Sequence, residues 1–310
     1  MKMSNSEIRF VKNKDIDRTK WDQCIDQSSS AIAYANSWYL DRICKHWDAL
    51  ILGEYQYIMP LVNNTKYGIS YIYQPFFTQQ LGVFSHLPID SAIINQFLNA
   101  IPKKFRLTDM NLNVGNTIPA ENFEFKSNTT FHLSLESDLA VIRSAYKSNT
   151  SRNIQKALQN KVSISQLSDV SLFIKYTSEN LKAKSPEIKS RHYLALREVV
   201  SYAIAHEAGE IYVAKNSENT ILASVFFLTT NQTSIYLAAS SSQEGIEKRA
   251  MFLLIDTFIQ NNAKRNLILD FEGSNIPGIA RFYAGFGASP ETYFSVHQNK
   301  LPKLLRIFKK

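Results

Sequence analysis

Hydrophobic and polar positions follow two rhythms along this chain. Ile8 to Val11 has the short apolar pattern of a strand, and Asp17 to Ile25 and Asn36 to His46 repeat apolar residues at helical spacing. Aromatic and β-branched runs of strand length come next, at Ala49 to Gly53, Tyr57 to Val62 and Tyr67 to Tyr73, with Asn63-Asn64 as the expected turn between the last two. These runs predict a β-meander. A helix from Ile89 to Ala100 and strands at Arg106 to Leu112 and Thr130 to Leu135 follow.

Beyond Leu135, Ser137 is placed to cap a helix through Tyr146, and Ser148-Asn149-Thr150-Ser151 to cap a second helix carrying Arg152, Ile154, Lys156 and Leu158. The pattern then predicts a strand (Val162 to Leu167), helices (Val170 to Lys182, Lys189 to His206) and strands at Glu210 to Lys215, Ile221 to Thr229 and Ser234 to Ala239. One helix from Gly245 to Ala263, a strand from Leu267 to Phe271, a short helix opened by Pro277 and a strand from Thr292 to His297 complete it. The class is α/β in the broad sense (α+β), with mixed sheets flanked by helices.

At 310 residues, 45% of them apolar and 20% charged, the chain has the composition of an ordinary globular protein and the length of two domains. No apolar run approaches the roughly 20 residues of a membrane helix, and the polar start Met1-Lys2-Met3-Ser4 has no signal-peptide core, so the expectation is a cytoplasmic protein without stable membrane insertion. Cys24 and Cys44 read as buried reduced thiols. The histidines show no zinc-type spacing, and no metal is expected.

The net charge of +8 is unevenly placed: residues 1–136 hold 13 basic and 13 acidic side chains, and residues 137–310 hold 22 and 14. Arg143, Lys147, Arg152, Lys156 and Lys161 lie in a stretch without any acid, as do Lys300, Lys303, Arg306, Lys309 and Lys310. Such fields attract phosphate on a nucleotide cofactor, RNA or lipid, or are solvated helix faces. The tail from Leu301 to Lys310 reads as a short amphipathic helix, which either docks on the protein or lies weakly on anionic lipid.

Three segments carry a family resemblance. Asp270-Phe271-Glu272-Gly273-Ser274, followed by Pro277-Gly278-Ile279-Ala280-Arg281-Phe282-Tyr283 and Phe286-Gly287, resembles the closing strand and helix of Fem-type enzymes in the GNAT acyltransferase superfamily. Arg152-Asn153-Ile154-Gln155-Lys156-Ala157 resembles their linker helix, and Tyr236-Leu237-Ala238-Ala239-Ser240 their central strand. The likeness covers about a quarter of the chain and implies tandem GNAT-like domains: 1–136 on the acceptor side, 137–310 on the donor side, with a cleft between them. It also implies an N-acyltransferase moving an acyl group from acyl-CoA to an amine, such as a small molecule or a cell-envelope precursor. The alternatives are a Fem-type aminoacyltransferase using aminoacyl-tRNA, and a non-catalytic binding protein on this fold. Two departures bear on the donor. Where CoA-binding relatives carry a Gly-rich pyrophosphate loop, Ser240 to Ala250 has one glycine and two acids; and where they carry a leaving-group tyrosine, Phe282 stands, with Tyr283 one place later.

Acyl transfer to an amine needs a proton acceptor for the amine and a proton for the leaving group. Asp270 is the first candidate acceptor, with Glu272 and Tyr236 behind it and Tyr283 as a candidate acid; the alternative for Asp270 is to cap the turn that follows it. Donor phosphates are assigned to Arg152 and Lys156, four apart on one helix face, and to Ser240, Ser241, Gly245, Lys248 and Arg249. Tyr71, Tyr73, Gln74, Gln79, Gln80 and Arg281 are candidate substrate contacts, since three glutamines beside Pro75 and Gly82 suit a loop better than a packed layer.

Overall fold

The computed structural model describes residues 7–118, 123–182, 184–230, 232–273 and 275–301, so the expected tail helix lies outside the described residues apart from Leu301. The chain forms two compact units, residues 1–128 with 292–310, and residues 129–291.

The first unit begins with β1 (Arg9–Val11), α1 (Arg18–Asp26) and α2 (Ser37–Ile43). The predicted meander follows as β2 (Trp47–Leu52), β3 (Tyr57–Lys66) and β4 (Ile69–Tyr73). Its second turn is displaced from the expected place. β3 runs straight through Asn63 and Asn64, and the chain reverses at Tyr67 and Gly68, both at positive φ, as a two-residue hairpin requires. Asn63 is free to stay in the strand because its amide donates to Asp48 Oδ2 and to the Leu61 carbonyl. Short β5 (Phe84–Ser85) pairs with β3, and α3 (Ser91–Asn99) leads into β6 (Phe105–Asn111), which lies parallel to β4. Leu50, Met59, Leu61, Ile94, Phe97 and Phe105 form part of this unit's core.

The second unit starts within β7 (Glu124–Ser134) and continues through α4 (Leu139–Ser144), α5 (Ser148–Gln159), β8 (Ser163–Gln166), α6 (Val170–Leu181) and α7 (Ser190–Ala205). The polar break at 148–151 is thus the first turn of α5 and not its cap; Thr150, Ile154 and Ala157 form its buried stripe. Next come β9 (Gly209–Lys215), β10 (Ile221–Thr230), β11 (Thr233–Ser241), α8 (Gln243–Glu247), α9 (Ala250–Asn262), β12 (Ile268–Asp270) and α10 (Pro277–Ala284). The expected single helix over 245–263 is broken at Arg249, whose left-handed φ of 60° ends one helix and starts the next. Strand order is β7-β12-β11-β10-β9-β8, antiparallel except for the parallel pair β11–β12. Phe227, Leu254, Phe258, Leu269, Phe271 and Phe286 lie at its core, with Phe227 stacked on Phe258 at 3.6 Å. Finally β13 (Ser289–Asn299) returns to the first unit and pairs with β6 from Ser295 onward.

Candidate functional site

Among the described residues each unit holds one pair of parallel strands, β4 with β6 and β11 with β12, and the two pairs end differently. In the second unit β11 and β12 pair only at Thr233 with Ile268, Ser234 with Leu269 and Ile235 with Asp270. β11 then continues to Ser241 without that partner, so a gap opens between two parallel strands at their carboxyl ends, where ligands of open α/β sheets bind. The β10–β11 register skips Leu237 at the same level, a bulge that bends β11 where the gap begins.

In the first unit the corresponding opening is stitched shut. Gln74 Oε1 accepts the Asn111 N–H at 2.9 Å, Asn111 Nδ2 donates to the Gln79 carbonyl at 2.6 Å, and Leu81 N–H donates to the Asn111 carbonyl at 3.1 Å. Gln80 donates to Gln79 Oε1 and accepts the Val114 N–H. All three glutamines therefore bind the loop after β4 to the end of β6. Tyr71 and Tyr73, two apart on β4, turn their rings to one face, 5.8 Å between centroids.

At the mouth of the second unit's gap stands Asp270, 1% exposed. Its Oδ1 accepts the Thr130 hydroxyl at 2.6 Å and the Glu272 N–H at 2.9 Å, and its Oδ2 lies 3.4 Å from His132 Nε2. It thus caps the following turn, the second of its two expected roles, while also holding a histidine. β7 and β12 set this geometry, because Asp270 and His132 are direct cross-strand partners. Gly273 then crosses β7 so closely that a Cβ would fall 2.0 Å from the Thr129 carbonyl oxygen. Burial pulls the His132 pKa down, but the hydrogen bond and charge of Asp270, with the charge of Glu291, outweigh it and leave the pKa raised.

A raised folded pKa stabilises the protein below histidine's ordinary value of 6.5, and that contribution is lost as pH rises through the folded value. The melting temperature of His132→Gln should therefore lie furthest below the wild type near about pH 6 and converge toward it by about pH 8. Paired thermal unfolding across that range measures the convergence.

On the other side of Asp270 lies an aromatic group. Phe271 stacks on Tyr283 at 4.9 Å, Tyr236 meets Tyr283 edge-on at 6.0 Å, and the Tyr236 hydroxyl donates to Met251 Sδ at 3.1 Å. Burial pushes both phenol pKa values up; for Tyr283 the charges of Glu272 and Asp270 add to the effect. Glu272, at a φ of 54°, has its carboxyl pKa raised well above the usual range by desolvation, which favours its protonated form. Tyr236, Phe271, Glu272 and Asp270 thus all lie around Tyr283.

The expected donor residues divide. Arg152 and Lys156 share the exposed face of α5, four apart. Ser240 is buried, its hydroxyl 3.1 Å from that of Ser224, and Ser241 is the last residue of β11. Gly245 packs on β10: a Cβ there would sit 1.9 Å from the Leu222 carbonyl oxygen, and its N–H donates to Ser242 Oγ at 3.1 Å. Lys248 pairs with Glu244 at 2.7 Å, and Arg249 makes the break before α9. Arg281 is exposed and donates to the Pro277 carbonyl. Two features escape the sequence. One is His132; the other is the buried Asp256 of α9, which receives a bidentate contact from Arg143 at 3.0 and 2.6 Å and the Tyr146 hydroxyl at 3.1 Å, tying α9 to the end of α4. Among the described residues no group of three His, Cys, Asp or Glu side chains is arranged to hold a metal, and no helix is long and apolar enough to cross a membrane.

No protein-family model matches the chain, and no curated protein matches it. Solved structures do. The crystal structure of FemX is similar over 95% of this chain and 99% of its own, with a TM-score of 0.67 at 11% identity. L-PGS from Bacillus licheniformis is similar over 94% of each chain, with a TM-score of 0.54 at 10% identity. The C-terminal domain of an Agrobacterium fabrum protein assigned as a lysylphosphatidylglycerol synthetase gives the same coverage, TM-score and identity. The likeness at such identities is one of fold: the chain has the fold seen in FemX and in L-PGS.

Proposed function

We propose that this protein transfers an aminoacyl group from aminoacyl-tRNA to an amine at the gap between β11 and β12. The observation that carries this reading is the gap itself, which opens directly after the pair Ile235 and Asp270 and has proton-handling side chains at its edge. The β11 backbone beyond Ile235 supplies polar groups along one wall, suited to hold a carbonyl as its oxygen gains charge. Glu272 and Tyr283 beside it, whose burial favours their protonated forms, serve the leaving oxygen. The acceptor is a cell-envelope precursor or a small amine.

The turn after β11 favours tRNA over acyl-CoA as the donor. Its Gly245 N–H is taken by Ser242, and Glu244 places a carboxylate where a pyrophosphate would need donors. The exposed basic face of α5 supports the same choice, because nucleic-acid affinity comes mostly from phosphate contacts. Thermal unfolding should show stabilisation by a charged tRNA pool and none by acetyl-CoA or free CoA. A shift with the CoA species alone would return the donor to acyl-CoA, and a shift with neither would favour a non-catalytic binding protein.

The double variant Arg152→Ala/Lys156→Ala should fold normally, because both side chains lie in solvent. Its tRNA affinity should fall about tenfold at 0.1 M salt, and the slope of log affinity against log salt should shrink by about two. Unchanged affinity and slope would remove these two residues from the donor site.

A further inference from the structure

Resting on the transfer reaction proposed above, the geometry points to His132 as the catalytic base that takes a proton from the acceptor amine, with Asp270 as its positioning residue. Asp270 cannot meet a substrate, since it is 1% exposed and its oxygens already face Thr130, the Glu272 N–H and His132. His132 can, because 22% of its side chain is exposed. Ile235, Asp270 and His132 stand side by side on three strands, which puts the imidazole level with the last pair before the gap.

The carboxylate also selects the tautomer. Nε2 is the ring nitrogen 3.4 Å from Asp270 Oδ2, so the carboxylate favours the proton there and leaves the lone pair on Nδ1, which has no hydrogen-bond partner among the described residues. The charged groups around the ring are the carboxyls of Asp270 from β12 and Glu291 from β13, and both raise the imidazole pKa and so its strength as a base.

In the step itself, Nδ1 takes one proton from the ammonium and the freed lone pair attacks the ester carbonyl carbon. The C–N bond forms as the C–O bond breaks. The second proton lost by nitrogen makes up the one that the leaving oxygen draws from the Glu272 carboxyl, and His132 returns its own proton to water.

The test uses the full chain, tRNA charged with labelled amino acids, and glycinamide as acceptor, with the rate followed against pH. His132→Gln should slow transfer about 100-fold and abolish the acid limb of the profile. Imidazole added to His132→Ala should restore part of the rate. A His132→Gln protein with wild-type rate and profile would overturn the assignment while leaving the transfer reaction standing; a wild-type protein with no transfer would overturn the reaction and the assignment together. If neither variant folds, the NMR titration of His132 in the wild type decides: its midpoint must coincide with the acid limb, and a midpoint elsewhere would overturn the assignment.

Discussion

Asp270→Asn should lower the transfer rate by about two to four orders of magnitude while leaving the fold in place. Asparagine keeps the Oδ1 acceptor that receives the Thr130 hydroxyl and the Glu272 N–H, so the turn after β12 persists. At the other position, however, it puts an N–H₂ donor where Oδ2 faces His132 Nε2 at 3.4 Å. Two donors then meet, and the imidazole relieves the clash by moving its proton to Nδ1, which removes the lone pair directed at the amine. Loss of the carboxylate also lowers the histidine pKa, so the acid limb of any residual activity should move to lower pH. Rates measured against pH, with the melting temperature as control, separate this outcome from simple unfolding. A variant with a fallen rate but an unshifted limb would mean that Asp270 acts only on the turn.

Gly245→Ala carries the largest expected effect on stability. The added methyl would sit 1.9 Å from the Leu222 carbonyl oxygen and 2.7 Å from its carbon, both backbone atoms of β10, so nothing flexible can give way. Relief requires that α8 lift from β10, breaking the Ser242 N–H bond to Leu222 O and the buried contact beside it. A loss of about 3 kcal/mol follows, which for a unit of this size lowers the melting temperature by roughly 6 to 12 °C. The loss should appear without any ligand. If Gly245 instead served a bound phosphate, its alanine variant would melt like the wild type and differ only in binding.

The legible and hidden parts of this molecule divide along a physical line. Strand and helix order follows from local periodicity, and so the succession in the second unit, with one parallel pair after the meander, could be read before any contact was known. The place of Asp270 at the end of a short strand was legible for the same reason. His132 was not. It lies 138 residues earlier, and only the β7–β12 register brings it to Asp270. Asp256 was hidden likewise, because a lone acid in an apolar helix does not reveal that Arg143 and Tyr146 reach it.

Two turn positions were misplaced by local chemistry. Asn63-Asn64 has turn composition, but Asp48 and the Leu61 carbonyl satisfy the Asn63 amide inside the strand, while Tyr67-Gly68 supplies the positive φ values. Arg249 breaks a helix although arginine is a good helix former, because α8 is anchored to β10 through Gly245 and the chain must turn there to start α9. The glutamines of the first unit show the same limit. Their loop location was readable from Pro75 and Gly82, but not their work of closing the end of the β4–β6 pair.

The most direct test of transfer at the β11–β12 gap is the formation of an amide product. The purified chain is incubated with tRNA charged with labelled amino acids and with glycinamide, and labelled dipeptide amide is counted against time beside the Asp270→Asn protein. The account predicts that the wild type makes amide steadily and that the variant makes at most about one hundredth as much. Equal product from both proteins, or none from the wild type while it remains folded, would contradict it.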